Sequence, residues 1–106
     1  MAELTDQEFR VRADDAIEDA QKALLPLADA QNFEVELQNG VLQVIFEEPK
    51  PSKFVVSPNA PVQQIWVSAL SRSFKLSWVS EAEGFALDAE RLPALLERVT
   101  RTHLGL

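Results

Sequence analysis

The sequence predicts a two-layer α+β domain, in which an N-terminal and a C-terminal helix pack on one face of an antiparallel sheet of five to six strands. Apolar residues recur at helical spacing near both ends of the chain, whereas polar and apolar residues alternate in the middle. The links between the alternating segments are short, which favours an antiparallel meander. One apolar stripe per helix suffices to cover one sheet face, so the other face would meet water.

The first helix is predicted over residues 5–28. Thr5 can cap it, and Glu8 three positions later completes a capping box. Pro26 should limit how far the helix runs, because a proline breaks the hydrogen-bond ladder. The apolar stripe consists of Phe9, Ala13, Ile17 and Leu24 together with further residues at steps of three and four.

The strands begin with a hairpin. Residues 33–38 alternate, Asn39-Gly40 is a strong two-residue turn signal, and 41–47 form the return strand. Residues 48–52 should be a loop, and Pro58 and Pro61 should bracket another. We expect further strands at 53–57, 64–69, 74–79 and 85–87, with a turn at 71–73. The closing helix should start near 89–92, with Pro93 in its first turn.

Length and composition predict one domain, residues 1–106, since 46% of the side chains are hydrophobic. No apolar run approaches the ~20 residues of a membrane span, and the acidic N-terminus does not resemble a signal peptide. The net charge of −7 argues against nucleic acid and anionic membranes as partners. We therefore expect a cytoplasmic protein, complete as it stands.

The acidic charge is concentrated in the first half of the chain. Residues 1–48 hold 12 acidic and three basic side chains, a net charge of −9, whereas residues 49–106 carry +2. Asp14, Asp15, Glu18 and Asp19 share the exposed side of the first helix. This pattern has two readings: a solvated helix face, or a surface for cations or a basic partner. Carboxylates alone would favour hard ions such as iron, manganese, calcium or magnesium, bound weakly.

Catalytic signatures are weak. Cysteine is absent, and the single histidine, His103, lies near the C-terminus, where we expect an exposed helix-end residue. A nucleophilic triad would have to rest on that end. Ferroxidase chemistry is the one activity that these residues could support, and the expectation is that the protein is not an enzyme.

Trp66 stands out on the fourth predicted strand. Ile65, Val67 and Ala69 define the core side of that strand, so Trp66 should lie on the water-facing side beside Gln64 and Ser68. It is then either an interaction residue or a side chain covered by a loop, and periodicity does not separate these alternatives.

The string Pro61-Val62-Gln63-Gln64-Ile65-Trp66-Val67-Ser68, with the Asn39-Gly40-Val41-Leu42 hairpin, resembles the frataxin family. Glu8-Phe9, the strand at 34–37 and Leu92-x-x-Leu95-Leu96 fit the same pattern. The resemblance runs from about residue 6 to residue 100. One departure is that Glu83-Gly84-Phe85 stands where a second tryptophan is usual.

The resemblance implies a small acidic protein that binds iron (Fe2+/Fe3+) weakly and modulates iron–sulfur cluster assembly. Its partners would be the cysteine desulfurase and the scaffold protein, and the metal-free protein would be a monomer. The carboxylates implied to hold iron, here called the acidic ridge, are Glu8, Asp14, Asp15, Glu18, Asp19, Glu34 and Glu36. The implied partner-binding residues on the sheet face are Gln64, Trp66, Ser68 and Lys75. The alternative is a small acidic protein-interaction module, similar to a secretion chaperone, without a metal role.

Overall fold

The structure, a computed structural model, describes residues 4–106; residues 1–3 of the predicted domain lie outside this range. A long helix, α1 (Asp6–Gln31), is followed by a seven-stranded sheet and a second helix, α2 (Leu92–Leu104). The strands are β1 (Glu34–Gln38), β2 (Val41–Phe46), β3 (Ser52–Asn59), β4 (Gln64–Ala69), β5 (Arg72–Val79), β6 (Gly84–Leu87) and β7 (Glu90–Arg91). The predicted α+β class is confirmed.

The sheet is an antiparallel meander in which every strand pairs with the next one along the chain. It has seven strands rather than the predicted five to six, because Glu90–Arg91 adds a two-residue strand beside β6. A pair of residues is too short for periodicity to reveal. Its position at the far edge leaves β1 and β7 as the two edges of the sheet.

The core lies between the helices and one face of the sheet. Phe9, Ala13, Ile17, Ala20 and Leu24 of α1 are buried, as predicted from their spacing, and Ala28, one turn further on, is buried as well. They meet Leu42, Val44, Val56, Ile65 and Leu76, which alternate inward from the strands. Since a strand sends successive side chains to opposite faces, the residues between these point away from the helices. The predicted polar face without a helix is therefore present.

Pro26 does not limit α1 as expected. The helix continues five residues past it to Gln31 and is capped by Asn32, whose backbone is left-handed (φ 60°, ψ 53°) and whose N–H donates to Ala28 O. Pro26 is exposed, whereas Leu24 and Ala28 on either side of it are buried. Packing of those neighbours stabilises the helical path through a residue that costs one backbone hydrogen bond.

Two of the predicted loops lie elsewhere. The strand β3 runs through Pro58, which pairs with Ile65 of β4. This is tolerated because β2 stops pairing at Val56, so that Pro58 has a neighbouring strand on one side only. The turn predicted at 71–73 is a two-residue turn at Leu70 and Ser71, both in the left-handed region (φ 55° and 59°). Neither residue type favours that conformation, so the sequence indicated a turn in this region but not its exact position.

His103 was predicted to be exposed, and this is wrong. Its ring packs on Phe46 with centroids 4.4 Å apart, and on Phe54 at 5.8 Å. Its Nε2 atom is shielded from solvent and has no hydrogen-bond partner among residues 4–106. The reason is tertiary: α2 brings its C-terminal turn onto the ends of β2 and β3, where the aromatic cluster lies.

The Ser71 backbone provides a test of the turn. Glycine adopts positive φ without the steric cost that a Cβ atom carries, so Ser71→Gly should raise the free energy of unfolding by about 1 kcal/mol. Urea unfolding followed by tryptophan fluorescence measures the change. Ser73→Gly is the matched control, because Ser73 lies within β5, where glycine should destabilise. Equal destabilisation by both substitutions would contradict the described turn.

Candidate functional site

The helix-borne part of the acidic ridge divides between two sides of α1. Asp14 and Glu18, four residues apart, line a shallow groove with Leu37 of β1 and Gly40 of the first hairpin. Asp14 Oδ1 lies 3.7 Å from the position that a Cβ atom on Gly40 would occupy. We call this pair the hairpin flank.

Asp15 and Asp19 lie on the other side of the helix, because each successive residue is rotated by about 100°. They line a cleft with Glu83 and Arg91, near the start of α2. We call this pair the cleft flank. The structure therefore brings the four helix carboxylates together as two pairs rather than as one group.

The cleft flank includes basic and aromatic side chains that the sequence did not indicate as site residues. The Arg12 guanidinium lies 4.5 Å from the centroid of the Trp78 ring, within the range of a cation–π contact. The Arg91 side chain lies directly over Gly84. A Cβ atom on Gly84 would be only 2.7 Å from the Nε atom of Arg91. No motif points to this arrangement, since Arg12 and Trp78 are 66 positions apart and meet only after folding.

Glu8 is already engaged by the backbone of the helix start. Its Oε1 accepts a hydrogen bond from the Thr5 N–H at 2.9 Å, and the Thr5 hydroxyl accepts from the Glu8 N–H at 3.0 Å. The predicted capping box is thus confirmed. The hydrogen bonds from Thr5, and to a lesser degree the charge of Arg12, hold the pKa of Glu8 below its ordinary value of 4.5.

The strand-borne carboxylates face a different direction from the helix. Val35 and Leu37 turn towards the core, so Glu34 and Glu36 are exposed on the face of the sheet without helices. Glu34 is opposite Ile45 and Glu36 is opposite Gln43 in the register. Among residues 4–106, no group of three or more His, Cys, Asp or Glu side chains is placed to hold one metal ion.

The helix-free face also carries the predicted partner residues. Trp66 lies on the water-facing side, as its strand periodicity predicted, and of the two alternatives left open the structure shows the uncovered side chain, with 37% of the residue accessible. Its indole Nε1 donates to Gln64 Oε1 at 2.9 Å, and Gln64 Nε2 donates to Ser77 Oγ at 3.3 Å. Lys75, directly opposite Trp66 on β5, places its Nζ 5.0 Å from the centroid of the Trp66 ring.

This arrangement fixes the orientation of Trp66. Gln64 holds the indole N–H by a hydrogen bond, and Lys75 packs against the face of the ring. Because the side chain is already restricted, it would lose little conformational entropy on contact with a partner. Ser68 lies on the same face one pair further along, opposite Ser73. The four predicted partner residues are therefore together on two neighbouring strands.

Comparison with known proteins decides the family. The family model for the frataxin-like domain matches residues 2–106. The chain belongs to the frataxin-like family.

Several curated relatives share one name, iron-sulfur cluster assembly protein CyaY. The protein from Janthinobacterium sp. (strain Marseille) is 30% identical over 105 residues, covering 92% of this chain and 89% of the relative. The protein from Pseudomonas paraeruginosa (strain PA7) is 34% identical over 94 residues, with 85% of both chains covered. That from Pseudomonas fluorescens (strain Pf0-1) is 29% identical over 98 residues, covering 89% and 87%.

The frataxin-like chain has no helix among residues 4–106 that is long and apolar enough to cross a membrane.

The capping role of Glu8 predicts a pH-dependent effect. Because the pKa of Glu8 is lowered in the folded protein, its ionised form stabilises the fold above pH 4.5, and this contribution is lost as the pH falls through the lower folded value. Glu8→Ala should therefore lower the free energy of unfolding at pH 7, with a difference that shrinks below pH 4.5. Urea titrations across this range measure it. Glu18→Ala is the control, and an equal loss with the same pH profile would contradict the capping role.

Proposed function

We propose that this frataxin-like protein acts in iron–sulfur cluster assembly, holding iron weakly on its carboxylates and docking on the cysteine desulfurase and the scaffold protein. The observation that supports this most directly is the presentation of the acidic ridge on exposed positions of α1 and β1, in a chain whose curated relatives are named for cluster assembly. Exposed carboxylates suit both a hard cation and a basic protein surface.

Iron in this proposal is cargo and not a resident cofactor. The hairpin flank and the cleft flank each offer two carboxylates, and Fe(II) or Fe(III) would complete its shell with water. Sites with two protein ligands and open access to solvent bind weakly and exchange readily. Glu8 is a poorer ligand than its position suggests, because Thr5 already occupies one of its carboxylate oxygens.

Docking would use two surfaces with different chemistry. The carboxylates of α1 and β1 would attract a basic patch on the desulfurase, with an association rate that falls as salt rises. The sheet face would contact the scaffold through Trp66, which is exposed and held in place by Gln64 and Lys75. Glu34 and Glu36 share the helix-free face with Trp66, whereas the α1 carboxylates lie on the helix side, so the two surfaces would meet at the β1 edge and a monomer would contact both partners.

The iron sites can be tested by nuclear magnetic resonance under anaerobic conditions. Addition of Fe(II) should broaden the amide signals of Asp14, Asp15, Glu18 and Asp19 before those of the rest of the protein. Asp14→Asn with Glu18→Gln should remove the broadening near Gly40, and Asp15→Asn with Asp19→Asn should remove it near Gly84. Each double substitution should weaken binding at its own flank about tenfold, because affinity follows the number of charged ligands.

Asp29→Asn is the matched control, since Asp29 is exposed on the same helix outside both flanks. Glu8→Gln tests the remaining helix carboxylate, because glutamine retains the capping oxygen and loses only the charge. Broadening that appears away from all these positions would contradict the proposed iron sites.

Docking can be tested by retention on immobilised desulfurase. Neutralising four ridge carboxylates, Asp14, Glu18, Glu34 and Glu36, should reduce retention strongly in low salt and less in high salt, because screening already weakens the native contact. Asp88→Asn with Glu81→Gln is a control at the opposite side of the sheet. Trp66→Ala should reduce binding to the scaffold while leaving desulfurase retention intact. Retention that is unchanged by the ridge substitutions would contradict the docking proposal.

A further inference from the structure

The edge of the sheet at β1 has unpaired backbone groups. In a hairpin with a two-residue turn, the pair next to the turn exchanges hydrogen bonds, and every second pair along the ladder does the same. Here that series starts with Gln38 and Val41 and continues with Glu36 and Gln43. The residues in between, Val35 and Leu37, therefore direct their N–H and C=O groups away from β2. Within residues 4–106, no strand lies on that side of β1.

The side chains along this edge are incompletely covered. Val35 and Leu37 face the core layer and contact it, yet both are only partly buried. Leu37 lines the groove between α1 and the hairpin beside the fully buried Ile17, so the accessible apolar surface along the open backbone belongs to Val35 and Leu37. An additional strand here would cover these side chains and satisfy the outward backbone groups at the same time.

Carboxylates flank this edge on both faces of the sheet. Glu34 and Glu36 lie on the helix-free face, and the hairpin flank, Asp14 and Glu18, lies along the groove on the helix side. Side chains directly opposite each other on paired strands interact, and like charges in that position destabilise the pairing. A second copy of β1 would place glutamates against glutamates in antiparallel register, so the charges disfavour self-association at this edge.

We propose that the open edge of β1 accepts an extended segment of a partner protein in which basic and apolar residues alternate. In antiparallel pairing, the apolar residues of the segment lie opposite Val35 and Leu37, and the basic residues lie opposite Glu34 and Glu36. This inference rests on the proposed function, because it specifies how the acidic ridge recognises a basic partner. It differs from surface docking, since main-chain hydrogen bonds contribute to the affinity.

The test uses the acetylated and amidated peptide Lys-Val-Lys-Val-Lys-Val-Lys and amide hydrogen exchange of the full chain. In the free protein, the Val35 and Leu37 amides should exchange rapidly, because they point to solvent. Saturating peptide should slow both by about tenfold, while the Glu36 amide, which already pairs with β2, should change little. Rapid exchange of Val35 and Leu37 in the saturated complex, or slow exchange in the free protein, overturns the inference.

A control peptide with N-methylated valines retains every charge but loses the donors that face β1. It should bind more weakly and should not protect Val35 or Leu37; equal binding and equal protection overturn the inference. On the protein side, Glu34→Gln with Glu36→Gln should weaken the unmodified peptide about fivefold. Asp29→Asn with Asp88→Asn, an equal change of charge away from the edge, should leave the affinity within twofold of the native value, and equal weakening by both pairs overturns the recognition by Glu34 and Glu36.

These outcomes are separable from those of the proposed function. Loss of desulfurase retention in the ridge variants, combined with a β1 edge that the peptide does not protect, supports docking and overturns strand addition. Protection of Val35 and Leu37 by the peptide, combined with desulfurase retention that is insensitive to the ridge, supports strand addition and overturns the desulfurase as the partner.

Discussion

Burial of the α1 stripe against the sheet is the constraint on which the rest of the structure depends. The residues from Phe9 to Ala28 that face the core include three alanines, so the helix lies close to the sheet and to α2. Once that face is buried, the rotation of α1 about its axis is set. The carboxylates between the buried positions must then point outward, to one side towards the hairpin and to the other towards α2.

The same packing explains why the acidic surface is an edge and not a pocket. β1 is an edge strand of the sheet, and α1 lies beside β1. Carboxylates from the helix therefore lie along one face of this open strand, and carboxylates from β1 itself lie along the other face. Asp14 with Glu18 and Asp15 with Asp19 are still like-charge neighbours at i,i+4 spacing, but the structure turns the two pairs to different sides of α1, so all four charges do not converge. This dispersion is consistent with a surface that meets a hydrated cation or a basic partner, and it does not resemble an enclosed metal centre.

Residues far apart in the sequence form contacts that no local sequence pattern indicates. Arg12 stacks on Trp78, Arg91 crosses Gly84, and His103 packs among Phe46 and Phe54. Each of these contacts depends on how two elements are placed relative to each other. Leu70 and Ser71 are a local example of the same limit, because the register of β4 and β5 imposes a turn that neither residue type favours.

The sequence by itself determined the α+β class, the capping box at Thr5, the Asn39-Gly40 hairpin, the alternation that exposes Trp66, and the family. These are local signals: hydrogen bonds three residues apart, residues that tolerate positive φ, and periods of 3.6 and 2. Only the tertiary structure decided that the ridge divides into two flanks, that the strand carrying Glu34 and Glu36 is an open edge, and that β7 forms the opposite edge. The physical reason is that the rotation of a helix and the order of strands are set by the packing of the whole core, which no short segment encodes.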